Sequence, residues 1–309
     1  MIILFMFLGL LALVLINVPI AVALAVVASA AMVFAHGPDV LPNVALVMMD
    51  GATNFPLIAI PLFILAGAIM NSTGISRRLI AFASAIFGFV KGGLAMVNIG
   101  TSLFFAEISG SAVADVAALG SILIPSMKKK GYPAPFAAAV TSSSATLAVI
   151  IPPSIPMILY AVMAQSSVVQ LFVAGIVPGV LGGFLMMVVA HRFAVHYNYP
   201  VEEVFKVSQV VATFKDAALA FTLPLIILGG IFGGFVTATE GAGLAVVAAM
   251  VIGAIYRELD WPHLKQAMID GSVQTAVVML LVASSVLIGE YLTEAQVPQT
   301  LADGIGNIT

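Results

Sequence analysis

Apolar residues run along this chain in blocks, and each block ends at a short cluster of polar, glycine or proline residues. The most informative cluster is Phe105-Ala106-Glu107-Ile108-Ser109-Gly110-Ser111-Ala112-Val113-Ala114-Asp115, which separates two apolar arms, Leu94 to Phe105 and Val116 to Met127. Each arm holds roughly a dozen residues, about 18 Å of helix against about 30 Å of bilayer hydrocarbon. Neither arm spans alone. The pattern predicts a helical hairpin whose Ser-Gly-Ser tip stops inside the membrane. Irregular backbone at that depth survives only where protein or a water-filled cavity surrounds it, because unpaired amides and carbonyls in lipid cost several kcal/mol each. A binding site is one reading of the tip; close helix packing through small residues is the other.

The remaining blocks follow the same logic. Met1 to Ala35 as one helix would be about 52 Å long, so a break is expected at Asn17-Val18-Pro19, where proline removes an amide donor. His36 to Asn54 mixes Pro38, Asp39, Pro42, Asp50 and Gly51 with apolar residues and reads as an interfacial segment. Phe55 to Met70 spans, and Ser76 to Val90 reads as an amphipathic arm leading into the hairpin, which Lys128-Lys129-Lys130-Gly131-Tyr132-Pro133 closes. Ala134 to Tyr160 is a span interrupted at Ile151-Pro152-Pro153-Ser154-Ile155-Pro156, where prolines free carbonyls from any continuous helical ladder. Leu171 to Phe193 and Ala217 to Phe235 cross. Thr237-Ala238-Thr239-Glu240-Gly241 is a third interruption, followed by spans at Ala242 to Tyr256 and Val273 to Gly289 with an amphipathic connection between them.

Composition turns this pattern into a class. Apolar residues are 62% of the chain and charged residues 8%, against about 25% charged in soluble domains. The fold class is an all-α polytopic membrane protein. The amino terminus lacks a basic n-region and a cleavage site, so it reads as a retained helix and not a signal peptide. A net charge of -3 without a long basic cluster gives no sign of a nucleic-acid partner. With no cysteine there is no disulfide framework or thiolate metal site. His36, His191, His196 and His263 lie at span ends, where interfacial roles suit them better than metal ligation. No intramembrane protease motif, serine-hydrolase elbow or phosphate loop occurs, so neither an enzyme nor a primary pump is indicated. If the lysine triplet is cytoplasmic, counting crossings puts Arg77, Arg78, Lys91, Arg192, Lys206, Lys215, Arg257 and Lys265 on the same side, which accounts for every Lys and Arg.

Leu24-Ala25-Val26-Val27-Ala28 recurs as Leu244-Ala245-Val246-Val247-Ala248. At this offset of about 220 residues the Asn17 break falls on the Thr237 break and the Phe55 span on the Val273 span, each pair with opposite predicted orientation. That is the inverted repeat of secondary transporters, which bind substrate and ions at broken helices near the midplane. The offset also predicts a second hairpin and a second proline break after Thr309.

The residues then resemble a known family, the large membrane subunit (DctM type) of the tripartite ATP-independent periplasmic, or TRAP, transporters. The resemblance runs from Met1 to Thr309. It rests on Pro61-Leu62-Phe63-Ile64-Leu65-Ala66-Gly67, Lys91-Gly92-Gly93-Leu94-Ala95, Ile108 to Asp115, Phe136-Ala137-Ala138-Ala139-Val140-Thr141 and Ile150 to Pro156. Thr237-Ala238-Thr239-Glu240 is similar to the family's Thr-Pro-Thr-Glu, with Ala238 in place of proline. The resemblance implies an elevator-type, sodium-coupled symporter of the bacterial inner membrane that imports C4-dicarboxylates, sialic acid or related sugar and keto acids. It implies two protein partners, a periplasmic solute-binding protein and a small four-helix membrane subunit. Residues 1–91 would be scaffold helices and the interfacial arm of the first repeat, 92–165 the transport-core hairpin and broken helix, and 166–309 connecting helices and the first part of the second repeat. A truncated, transport-incompetent scaffold subunit of the same complex is the competing reading, because half of the expected core lies beyond Thr309.

By the same resemblance, Ser109, Gly110 and Ser111 face Pro152, Pro153 and Ser154, with the tip and the two prolines forming a Na+ site; Ser111, Thr146 and Ser154 are the candidates for contact with the substrate. The chemistry agrees: sodium is a hard cation that takes oxygen ligands, and hydroxyls and freed carbonyls supply them without buried net charge. A substrate carboxylate would sit at a half-helix amino terminus such as the start of the right arm. Glu107 and Asp115 flank the tip as candidate coupling carboxylates. Glu240 is a third, either as a proton or sodium partner or as the end of a broken helix. Pro152-Pro153 has the plain alternative of a kink, and Thr141, Ser142, Ser143, Ser144 and Thr146 that of hydroxyls bonding back to their own helix.

Overall fold

The computed structural model describes residues 2–109, 112–201 and 205–306, and among them the only regular elements are helices. In chain order they are α1 (Ile2–Leu15), α2 (Ile20–His36), α3 (Leu41–Ala52), α4 (Ala59–Ser72), α5 (Ile75–Phe87), α6 (Gly93–Ser109) and α7 (Ala112–Lys129). Then come α8 (Ala134–Ala145), α9 (Ile155–Met163), α10 (Val168–His196), α11 (Val207–Phe232), α12 (Ala238–Ile255), α13 (Trp261–Glu294) and α14 (Val297–Gly306). Among the described residues five helical segments are long and apolar enough to cross a membrane: Phe55–Ser72, α10, α11, α12 and α13. The chain divides into two compact units, one of residues 1–55 with 273–309 and one of residues 56–272.

Breaks fall where proline or a left-handed residue forces them. Asn17, at φ 65°, separates α1 from α2, and Pro19 precedes the first turn of α2. Between α8 and α9 the chain passes through a 3-10 turn, Thr146–Val149, before the helix resumes at Ile155, so this interruption begins earlier than its prolines. Three expectations need correction. First, Phe105–Ser109 belongs to α6 and Ala112–Asp115 to α7, so most of the polar stretch is helical. Ala106, Glu107, Ala112 and Ala114 are good helix formers, and polarity alone does not stop a hydrogen-bond ladder. The 17- and 18-residue helices are therefore about 26 and 27 Å long, longer than the predicted arms and still short of about 30 Å of hydrocarbon. Second, α13 is one helix of 34 residues with no separate amphipathic connection. In the earlier copy α3 ends at Ala52 and Pro56 lies in the first turn of the next span, but the residue at the same offset as Pro56 is Ala276, which continues a helix. Third, α11 begins at Val207, before the predicted start of the span at Ala217, and so takes in Lys215.

The unit of residues 56–272 is built on small residues. Ala238, Ala242, Ala245, Ala249 and Ile252 recur at alternating spacings of four and three and are buried, forming one stripe of α12 that packs on α4. Gly253 extends the stripe, since a Cβ there would stand 2.7 Å from Cγ2 of Thr73. Leu244, Val247, Val251 and Ile255, on the other side of α12, are exposed as lipid-facing residues are. Phe82 of α5 meets Phe221 of α11 edge-on at 5.1 Å and Phe104 of α6 at 6.2 Å, which joins the arm to both helices. In the other unit, Met6, Val27, Ala31, Met32, Val44, Leu287 and Tyr291 form the core, and His36 lies 3.1 Å from Glu294.

A charged clamp fixes one end of α5. Arg78 Nη2 donates to Glu258 Oε1 at 2.8 Å, its Nε lies 3.5 Å from Asp216 Oδ1, and its guanidinium sits 3.8 Å over the Tyr256 ring. Arg77 adds a second bond to Glu258 at 3.0 Å, and the Tyr256 hydroxyl donates to the Asp216 carbonyl at 2.7 Å. Charge counting assigned Arg77, Arg78, Lys215 and Arg257 to one side, and the clamp joins their immediate neighbourhoods. Lys91 is tied in the same way to the end of α10, by Nζ to Asn198 at 3.0 Å and by its carbonyl to the His191 ring at 3.1 Å.

The hydrogen bond from Arg78, more than any other influence, holds the Glu258 carboxyl below its ordinary value near 4.5, against an opposing desolvation. A depressed carboxylate contributes stability that is complete above the unfolded value and lost as pH falls through the folded one. Arg78→Met should lower unfolding stability by about 2 kcal/mol, and Glu258→Gln should flatten the loss of thermal stability on acidification below about pH 4.5. Thermal unfolding in detergent across this pH range measures both; parallel profiles for Glu258→Gln and the parent chain would remove the clamp from the account of stability.

Candidate functional site

Three elements converge on the proline break. Both α6 and α7 pack on the 3-10 turn Thr146–Val149, and Leu103 of α6 packs against the buried trio Leu147, Ala148 and Ile151. From the other side α10 presents glycines: a Cβ on Gly175 would collide with the Ile150 carbonyl, and one on Gly179 would stand 2.5 Å from Cγ1 of Ile151. Only glycine lets a helix lie this close to irregular backbone. A cavity of about 240 Å³, lined in part by Leu103, Phe104, Ile151, Pro152 and Leu228, adjoins the break.

The candidate residues fall into three groups. Pro152, Pro153 and Ser154 are buried in the break, with the Pro152–Pro153 peptide bond cis. Ser154 is the N-cap of α9: its hydroxyl donates to the Val149 carbonyl at 2.7 Å and accepts from the Met157 amide at 3.4 Å. Thr146 is exposed at the start of the 3-10 turn, and its hydroxyl donates to the Ser143 carbonyl at 2.6 Å. With their protons directed at backbone carbonyls, both hydroxyls offer a ligand lone pairs and no donor, which suits a cation better than a carboxylate. Asp115 is buried in the first turn of α7, a costly position that makes it the foremost acidic candidate here.

The second group is at the tip. Ser109 ends α6; Gly110 and Ser111 lie outside the described residues, as do the side chains of Glu107 and Ser109.

The third group is Glu240 alone. It occupies the N3 position of α12 in a reciprocal capping box, accepting from the Thr237 amide at 2.7 Å and from its hydroxyl at 2.9 Å, while Thr237 Oγ1 accepts from the Glu240 amide at 3.2 Å. The α12 helix packs on α4 and α11. Glu240 thus caps the amino-terminal end of α12. Ala238 stands at N1, the helical position at which proline is tolerated best.

The match to known proteins is extensive. Residues 7–309 fit the family described as tripartite ATP-independent periplasmic transporter, DctM component. The chain belongs to this family. It is 38% identical over 279 residues to the C4-dicarboxylate TRAP transporter large permease protein DctM of Pseudomonas aeruginosa, covering 90% of this chain and 65% of that one. It is 38% identical over 298 residues to the 2,3-diketo-L-gulonate TRAP transporter large permease protein YiaN of Escherichia coli, covering 96% and 70%. To the sialic acid TRAP transporter permease protein SiaT of Haemophilus influenzae it is 38% identical over 251 residues, covering 81% and 41%. The chain spans from 41% to 70% of the length of these relatives. Family membership and the five long apolar helices make it a multi-pass protein of the bacterial inner membrane, and its relatives are transporter subunits, not enzymes.

Sequence reasoning missed one feature of this DctM-family chain, a polar ladder inside the bundle. Asn98 Nδ2 donates to Thr141 Oγ1 at 2.6 Å, and Ser102 and Ser144 hydroxyls meet at 2.8 Å, all four residues being buried between α6 and α8. The Asn98 carbonyl oxygen and the Thr101 hydroxyl are also buried and meet no partner among the described residues. The signal was present: Asn98 and Ser102 are one turn apart on a helix, as are Thr141 and Ser144. The expected back-bonding occurs as well, from Thr141 to the Ala137 carbonyl at 2.9 Å and from Ser144 to that of Thr141 at 3.2 Å. A double-mutant cycle of Asn98→Leu and Thr141→Val should give a coupling of about 1 kcal/mol in unfolding, the size found for hydrogen bonds between membrane helices; additive effects would mean that the contact carries no stability.

Proposed function

We propose that the protein to which this sequence belongs is the large permease of a secondary active, sodium-coupled TRAP transporter that imports carboxylate solutes. The observation that carries the reading is the packing of both hairpin helices onto the buried proline break, in a chain of the DctM family. Relatives named for C4-dicarboxylates, sialic acid and 2,3-diketo-L-gulonate have carboxylate-bearing cargo in common, which supports that substrate class. Those relatives are named as permeases, which favours transport over a scaffolding role.

In this reading the tip Ser109-Gly110-Ser111 and the carbonyls of Pro152 and Pro153 supply oxygen to Na+, and the substrate carboxylate lies near Ser111 at the head of α7. Oxygen donors without net charge bind a monovalent cation only moderately, so the anion's charge completes the site and the two ligands bind better together than apart. Asp115 and Glu107 tune that balance. Residues 92–165 form a moving transport core of the elevator type with a re-entrant hairpin, residues 1–91 and 166–309 supply scaffold and the start of an inverted repeat, and the Arg78 clamp holds the arm. A periplasmic binding protein delivers the solute, and a small four-helix membrane subunit braces the scaffold.

Uptake of labelled dicarboxylate, sialate or diketogulonate into proteoliposomes tests this directly, using a chain of the relatives' full length that contains this sequence, with the binding protein and the small subunit. One of these acids should accumulate only with an inward sodium gradient, and Ser111→Ala should reduce sodium-dependent uptake by tenfold or more, about 1.4 kcal/mol of lost coupling. Equal uptake without sodium, or an unaltered sodium dependence in Ser111→Ala, would leave the tip a packing feature.

A further inference from the structure

The lysine triplet at the end of the hairpin reads in the sequence as a topology and lipid-headgroup feature of all three residues, and the structure divides it. A cavity of about 320 Å³ lies between α5, α6 and α7, lined by Ser84 of α5, Leu94 and Val97 of α6, and Ser126, Lys129 and Lys130 at the end of α7. Lys128 is not part of the lining. We propose that this cavity binds the phosphate of an anionic phospholipid, with Lys129 and Lys130 as its ligands.

The chemistry follows the geometry. Ile122, Ser126, Lys129 and Lys130 are spaced by four, seven and eight residues from the first, so they share one face of the helix. Over about 12 Å that face passes from an apolar side chain to a hydroxyl to two ammonium groups. A phospholipid grades in the same order, from acyl chain through ester to phosphate. Ile122 is 50% exposed at the apolar end, where a chain would run, while Leu94 and Val97 form an apolar wall that a soluble phosphate would not use. The Ser126 hydroxyl donates to the Ile122 carbonyl at 2.7 Å, so on α7 the charged donors of the two lysines are the groups suited to a phosphate. Basic pockets between membrane helices on the cytoplasmic side are a recurrent way to hold anionic headgroups, and charge counting puts this end on that side. An occupant would touch α5 and both hairpin helices at once, so it would act on the contact between the arm and the hairpin.

The test is native mass spectrometry of the purified, delipidated chain titrated with phosphatidylglycerol, with phosphatidylcholine and soluble glycerophosphate as comparison ligands. Lys129→Gln and Lys130→Gln should each weaken phosphatidylglycerol retention about fivefold, and the double substitution by about twentyfold or more. Lys128→Gln, which removes the same charge one residue away, should change it less than about twofold. Lys129→Arg with Lys130→Arg should retain the lipid. Equal losses in all three single variants would reduce the site to diffuse interfacial charge and overturn the proposal. Phosphatidylcholine held as tightly as phosphatidylglycerol would overturn the anionic selectivity, and glycerophosphate held as tightly would overturn the lipid as its source.

Discussion

Every backbone amide and carbonyl in a bilayer must find a partner within the protein, and most of this structure is a consequence of that constraint. Helices meet it along their length. The difficulty is concentrated where they stop, and three of the described stops carry a local remedy. Ser154 takes the Val149 carbonyl and caps α9 at the proline break, and Thr237 and Glu240 cap α12 reciprocally. At the first break, the amides of Asn17 and Val18 bond back to the carbonyls of Val14 and Leu13, with Asn17 left-handed. The same hydroxyls and carbonyls that satisfy a break are the oxygen ligands that a desolvated cation would use. A break within membrane helices is thus both a structural liability and the natural place for an ion.

Packing is the second consequence. Lipid is as apolar as a leucine side chain, so helices gain little from hiding apolar surface and associate through close contact and polar links. Alanine stripes on α12, glycines on α10 and the Asn98–Thr141 and Ser102–Ser144 links on α6 and α8 are three forms of this. At the aqueous boundary the links become ionic. Arg78 serves Glu258, Asp216 and Tyr256 together, and its small exposure makes it more than a surface pair.

Much of this was legible in the chain. Proline and asparagine announced the breaks at Asn17 and Pro152, because they remove donors or favour left-handed backbone whatever surrounds them. The polar stretch around Ser109 misled at its edges, since polarity marks function but does not unwind alanine and glutamate. The long helix α13 was hidden for a related reason: the repeat suggested a break, but its proline had no counterpart. Glu240 illustrates a limit of another kind, because its reciprocal capping bonds with Thr237 depend on backbone geometry that the residue types alone do not fix.

The sequence by itself determined the membrane class, the family and most of the order of helices and breaks. These depend on composition and local backbone chemistry, which act over a few residues. Only the tertiary structure decided which hydroxyls pair across α6 and α8, that Arg78 reaches residues roughly 140 to 180 positions away, and that two lysines of three line a cavity. Those outcomes depend on the distance between helices remote in sequence, which is set by the joint packing of many small side chains and by no single motif.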